Sequence, residues 1–408
     1  MKHKIAIKQP LHSRGFLYVL ILCGLLWSGS MKAELPTARQ LAKKMTIGWN
    51  LGNMLEATWM GKNYKATTYQ RTIDSVKLAG FNTVRLPVAW FFHSDTITSV
   101  IDPTWLAHVE SMVDLCIKDS LYTIINIHWD QGWLENRVTV KDSAIVNTRQ
   151  RAYWTQIANY FKDYDEHLIF ASANEPNVSN ATGMAVLLKY HQTFINAVRA
   201  TGGNNSSRTL VIQGPGTDIS TTNSLMSTMP KDKIANRLMV EVHYYTPPQF
   251  CILNADATWG KMFYYWGIGN HSTTDVTRNA TWGEESDMDK YLGMMKTKFV
   301  DNGIPVIIGE YGAFRKTLSP PSDQALHNAS IKSFYRYLVK SATSKGMITY
   351  CWDTGGIINF TSGETKDKDV LSSIMQGYNE TISTGVSTII DTKFNLYPSP
   401  FQSTFTLK

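Results

Sequence analysis

Eight short runs rich in β-branched and apolar residues recur along the chain, and most are separated by stretches with helical spacing. The runs occupy residues 45–50, 81–87, 121–128, 168–175, 209–213, 237–245, 304–311 and 346–352. Within 103–120, Trp105, Leu106, Val109, Met112, Val113, Cys116 and Ile117 recur as one face of a helix would. Asp102 then Pro103 is an N-cap with proline at the first helical position, and Gly80 stands where a helix ends ahead of the run at Phe81. A second helix is expected over 149–165. Eight strand–helix units over about 340 residues predict a closed (β/α)8 TIM barrel of the α/β class. Unbroken apolar strands, such as the one through Ile124 and Ile125, suit a sheet buried on both faces. The fifth unit is the faintest, with a short strand and a loop-rich stretch over 214–230. The connection 246–288 is long and carries Phe250, Trp259, Phe263, Tyr264, Tyr265, Trp266 and Trp282. A loop of that kind either serves function or packs its own rings.

The two ends read differently from the middle. Residues 1–33 carry Lys2, Lys4, Lys8, Arg14 and Lys32 and no acid, with an apolar run of 12 residues at 16–27. That run is the length of a secretory h-region and too short to span a bilayer as a helix. We read 1–33 as a signal peptide with Ala33 before the cleavage point; the alternative is an uncleaved anchor. Without it, 35 basic residues face 33 acidic ones, so the overall charge of +7 gives no case for nucleic acid. A secreted product with no membrane association after signal removal is expected. Cys116, Cys251 and Cys351 are left; no pair has metal-ligand spacing, and three structural thiols are the simpler reading. The catalytic domain is expected over 34–380 and a linker with a short tail over 381–408.

In a barrel of this kind, the carboxyl ends of the strands face the active site. Here they are Asn50, Arg85, His128, Asn174 with Glu175, Gln213, His243 with Tyr245, Glu310 and Trp352. Polar and ionisable groups converging on one rim are costly unless they are used or paired. Glu175 closes the fourth strand and Glu310 the seventh, on opposite sides of the barrel mouth. Two carboxylates across a cleft are what glycosidic cleavage needs: one protonates the leaving oxygen, the other attacks or activates water. The acid should have its pKa raised by burial or by a like charge.

The segments GWNLGN at 48–53, TVRLP at 83–87, Ile127 with His128, NEP at 174–176, HYY at 243–245, GEYG at 309–312, and Trp352 fall in the order of glycoside hydrolase family 5. The chain resembles that family of cellulases and related endo-β-glycanases over about residues 40–378. The resemblance implies a retaining mechanism with Glu175 as acid/base and Glu310 as nucleophile. It implies that Asn174 bonds the sugar 2-hydroxyl and Arg85 supports the nucleophile. His128, His243 and Tyr245 would position the sugar, Trp352 would stack beneath it, and Asn53 belongs to the first motif. Many relatives have two histidines after strand 3, where this chain has His128 then Trp129. The implied partner is a β-linked polysaccharide, cellulose-like β-1,4-glucan first, with xyloglucan, mixed-linkage glucan or mannan as alternatives. The tail motif NLYPSPF at 395–401 resembles the start of the sorting domain of bacterial type IX secretion, cut short.

No cofactor is expected. The remaining histidines show no metal-ligand spacing, and no glycine-rich phosphate loop follows a strand. Trp90, Trp129 and Trp133 follow strand ends and could stack on sugar faces or fill the core. Glu56, Asp130 and Glu135 near the rim could bond sugar hydroxyls. The competing class is a catalytically dead, carbohydrate-binding barrel, which usually lacks one of these groups.

Overall fold

A computed structural model describes residues 34–58, 69–320 and 322–385. The expected leader and the tail beyond Gly385 lie outside the described residues. Eight parallel strands close into one barrel in chain order. They are β1 (Ile47–Leu51), β2 (Thr83–Leu86), β3 (Tyr122–Asn126), β4 (Leu168–Ala171), β5 (Leu210–Gln213), β6 (Leu238–Tyr244), β7 (Val306–Tyr311) and β8 (Ile348–Asp353). Every expected run holds a strand, the faint fifth included.

Side-chain parity divides each strand between two cores. Val84, Leu86, Phe170, Ile212, Val240 and Ile308 point outward and pack against the surrounding helices. Tyr122, Ile124, Ile169, Val211, Met239, Ile307 and Tyr350 form a second cluster inside the barrel, which Leu41 of the helix Ala38–Ala42 joins. Higher in the lumen the same parity gives Asn50, Arg85, Gln213, Glu241 and His243, all buried. So the lumen is apolar at one end and polar at the other. Gly48 keeps the lower part closed, because a Cβ there would stand 2.3 Å from the Tyr350 ring.

The helix Pro103–Lys118 forms as expected, and Asp102 caps it by accepting from Thr104 N at 2.8 Å. The next helix runs Ser143–Tyr160, starting six residues before the expected 149. Within it Gln150, a polar residue that reads as exposed, is buried and donates to the Ser172 carbonyl at 3.0 Å. The last helix, Lys368–Gly385, continues past the expected boundary at 380. The long connection after β6 mostly packs its own rings. Phe250 and Trp266 are buried against Phe334 of the helix Gln324–Ser344, while Trp259 and Trp282 stay exposed. Cys116, Cys251 and Cys351 are free and buried. Among the described residues no helix is long and apolar enough to cross a membrane.

Candidate active site

Arg85 is the centre of the polar end of the lumen. It is fully buried and its guanidinium fork is occupied on every side. Nη1 donates to Asn50 Oδ1 and to Glu310 Oε1, both at 3.0 Å, and Nη2 donates to Asn174 Oδ1 at 2.7 Å. Nε lies 2.9 Å from Glu241 Oε1 as an ion pair, poorly aligned as a hydrogen bond. A planar cation with fixed donors thus sets β1, β2, β4 and β7 in register at the rim.

A bulge delivers Glu310. The pairing of β6 with β7 runs Val242 to Ile308 and then His243 to Glu310, skipping Gly309. Such a bulge re-aims the following side chain into the lumen. Glu310 accepts from Tyr245 Oη at 3.1 Å, and its Oε2 is 3.7 Å from His243 Nδ1. Burial pushes the Glu310 carboxyl up, against the pull of His243 and Arg85.

Glu175 differs. Its side chain is 44% exposed to the cleft, and its Oε1 is 2.7 Å from His243 Nδ1. Burial works to raise its pKa, but the His243 hydrogen bond and charge, with Arg85, hold it below the usual carboxylate range. This is opposite to the direction expected for an acid, and the nearby cation is the reason. His243 itself is pushed up to about 10: burial opposes, but Glu310, Glu175 and Glu241 outweigh it. Glu175, His243 and Glu310 bring ligand-type atoms within 4.8 Å of one another. Glu175 already bonds His243, Glu310 is held by Arg85 and Tyr245, and Arg85 puts a positive charge beside both. The cluster is therefore suited to holding a proton rather than a metal ion.

His128 sits on the other side with its ring 5.8 Å from Trp352 and nearly parallel to it. Burial, then Arg85 and His243, drive its pKa well down, so it is neutral, with Asn126 Nδ2 3.3 Å from its Nδ1. Trp352 is half-buried, and Gly52 makes room for it: a Cβ there would meet the indole at 2.7 Å. Asp353 anchors the loop behind, accepting from Trp49 Nε1 and from four backbone N–H groups at 355–358.

The remaining expected candidates divide between the surface, the core and the loop backbone. Asn53 is an exposed turn residue with φ 58°; the β1 side chain that reaches Arg85 is Asn50. Trp129 is exposed at the rim, whereas Trp90 and Trp133 are buried core rings. The three rim carboxylates are turned to loop backbone, and Glu135 also to the Asn174 side chain. Glu56 accepts from Asn53 N and Met54 N, Asp130 from the backbone of Trp90, Phe91 and Phe92, and Glu135 from Glu175 N at 2.7 Å. Glu135 thereby props the backbone under Glu175. Beside Glu175 a cavity of about 420 Å³ opens, lined by Asp218, Ser220, His243, Trp282 and Tyr291.

The family described as Cellulase (glycosyl hydrolase family 5) matches residues 42–357. A xyloglucan-specific endo-β-1,4-glucanase of Bacteroides ovatus is 33% identical over 84% of this chain and 70% of its own. Endoglucanase A of Paenibacillus barcinonensis is 30% identical over 84% of this chain and 90% of its own. Among solved structures, a family 5 xyloglucan-specific β-1,4-glucanase from a ruminal metagenomic library, in complex with XXLG, superposes with a TM-score of 0.75. It is 40% identical and covers 89% of this chain and 100% of that one. The matched span runs from the first barrel strand through the last, taking in both glutamates. The chain belongs to glycosyl hydrolase family 5, the cellulases, as a glycoside hydrolase of endo-β-1,4-glucanase type acting on β-glucans.

Proposed function

We propose that this is an exported, retaining endo-β-1,4-glucanase that cleaves cellulose-like β-1,4-glucan by double displacement. The observation that carries it is the spacing of the carboxylates: an oxygen of Glu175 and one of Glu310 lie within 4.8 Å. Retaining enzymes hold the pair about 5–5.5 Å apart and inverting ones roughly 6.5–9.5 Å. Glu310, buried and bonded by Arg85 and Tyr245, is the nucleophile: its oxygen bonds the anomeric carbon as the glycosidic bond breaks. Glu175, open to the cleft, gives a proton to the leaving oxygen. It then takes a proton from the water that releases the sugar from Glu310. Arg85 holds the Asn174 carbonyl oxygen and Glu135 accepts from its amide, and the second amide hydrogen is the donor to the sugar 2-hydroxyl. His128 and Trp352 form one wall under the ring. A sugar that covers Glu175 removes its water and raises its proton affinity, which lets it act as an acid. Export is supported by the basic and then apolar segment at 1–33.

A second reading is cleavage of xyloglucan. The two similar enzymes named for that polymer favour it, and so does the open cavity beside Glu175, which leaves room for a branched chain. A reducing-sugar assay on carboxymethyl-cellulose, xyloglucan, mixed-linkage glucan and mannan separates the readings. Glu175→Gln and Glu310→Gln should each cut turnover by about three orders of magnitude or more with unchanged circular dichroism. NMR of fresh product should show the β-anomer first. Inversion, or near-normal activity in either variant, would refute the mechanism.

A further inference from the structure

One buried carboxylate is used by no step above. Glu241 lies two residues before His243 on β6, so both face the lumen. It is fully buried. Its Oε2 accepts from Gln213 Nε2 of β5 at 2.5 Å. Its Oε1 faces Arg85 Nε of β2 at 2.9 Å and His243 Nε2 at 3.2 Å. On β7, Gly309 vacates the space it fills, since a Cβ there would stand 2.0 Å from Oε1. Tyr350 of β8 is the remaining titratable neighbour, its hydroxyl on Thr83 at 2.8 Å. Around His243 the charged groups are Glu175, Glu241, Glu310 and Arg85, with neutral His128 beyond.

His243 has a carboxylate on each ring nitrogen. An imidazole can donate from both nitrogens only when it is protonated; a neutral ring would turn a lone pair on one carboxylate. We propose that Glu241 is a positioning residue that, from the barrel floor, keeps His243 as the imidazolium whose Nδ1 proton passes to Glu175 when a glycoside fills the cleft. This rests on the assignment of Glu175 as acid/base. The Nδ1–H bond breaks and a Glu175 Oε1–H bond forms across 2.7 Å. His243 is left neutral and still donates Nε2–H to Glu241. Glu175 hands the proton to the leaving oxygen. In the second half, Glu175 takes a proton from water and returns it to His243, so the cycle closes with no external acid.

The test is Glu241→Gln, read as the pH profile of kcat/KM. The expected result is a basic limb displaced to lower pH by on the order of one unit, because the anion that retains the mobile proton is gone. Activity on cellotetraose should fall about tenfold or more, while 2,4-dinitrophenyl β-cellobioside, whose leaving group needs no proton, should lose no more than about threefold. An unmoved limb, or equal losses on both substrates, overturns the proposal. A measurement on the wild-type protein guards against a variant that does not fold. The 15N shifts of His243, assigned with His243→Asn, should show both ring nitrogens protonated at pH 7, and a neutral ring overturns the proposal. Failure of the underlying assignment looks different: Glu310→Gln or Glu175→Gln would then remain active whatever Glu241→Gln does.

Discussion

Arg85→Met tests whether one buried cation holds the site together. Methionine approximates the arginine stem in length and removes only the guanidinium. Four partners lose their contact: Glu310, Glu241, Asn50 and Asn174. Two of these are buried carboxylates, and only His243 is left to offset them. Removing one partner of a buried ion pair costs about 3–5 kcal/mol, mostly because the other charge is stranded. For roughly 350 residues the unfolding entropy is about 0.7 kcal/mol/K, so ~4 kcal/mol lowers Tm by ~5 °C. The pH dependence identifies the cause. With Arg85 gone, the folded-state pKa of Glu310, already raised by burial, climbs further, and that of Glu241 rises from below its unfolded value to above it. The folded variant then binds more protons than the unfolded chain as pH falls toward 5, so its deficit shrinks there. Melting followed by near-ultraviolet circular dichroism at pH 7.5 and pH 5 measures this. Arg85→Met with Glu241→Gln should recover at least half of the loss at pH 7.5, since the two sites are coupled. A loss equal at both pH values, or no recovery in the double variant, would show that packing rather than charge is at stake.

Two further outcomes follow from neighbouring residues. His191 is fully buried between Ser172 Oγ at 2.9 Å and the Gln213 carbonyl at 3.0 Å, and burial brings its pKa down to about 4. The unfolded chain takes up this proton near pH 6.5, so the contribution is complete above that pH and is lost as pH falls toward 4. It amounts to roughly 3 kcal/mol, and His191→Gln should flatten the Tm–pH curve in that window; an unchanged slope would count against it. Gly309→Ala puts a methyl 2.0 Å from Glu241 Oε1, so either the carboxylate moves or the bulge resets. Overpacking of this kind costs about 1–3 kcal/mol. Turnover should fall with it, and a variant with wild-type kcat and Tm would show the close approach to be unimportant.

The barrel was legible because its evidence is periodic. Strand runs, helical faces and the Asp102–Pro103 cap all repeat one physical pattern, and the strand ends could be read off without side-chain geometry. Rim chemistry was less visible where it depends on parity within a strand. Glu241 sits inside an apolar run and reads as strand interior; its signal was its place two residues before His243, which puts both on one face. Asn50 and Asn53 share one motif, and only the strand–turn boundary after Leu51 decides which of them faces the lumen. Glu56, Asp130 and Glu135 look like ligand-binding acids in sequence. Their real partners are backbone N–H groups of loops, and no sequence pattern names such a partner. Trp90 and Trp133 follow strand ends just as Trp129 does, yet burial separates them.

The polar end of the lumen reads as one line of alternating charge: Glu175, His243, Glu241, Arg85, Glu310, with each acid touching a cation. Three anions and two cations leave a single net negative charge when every group is ionised. A pocket with two cations and two anions would satisfy stability more simply, since an unbalanced buried charge is costly. Under the proposed mechanism that excess has a use. Positive charge develops on the sugar ring in the oxocarbenium-like transition state, and a fixed negative charge beside it favours that state over the neutral ground state. Moving the proton from His243 to Glu175 leaves the net charge unchanged, so the acid is armed without weakening the field. Glu241 lies behind His243 and Arg85, so neutralising it acts mainly on the proton held by His243, while Glu310 and Glu175 keep the negative charge nearest the sugar. A variant that keeps Glu310 and Glu175 can therefore still lose most of its rate.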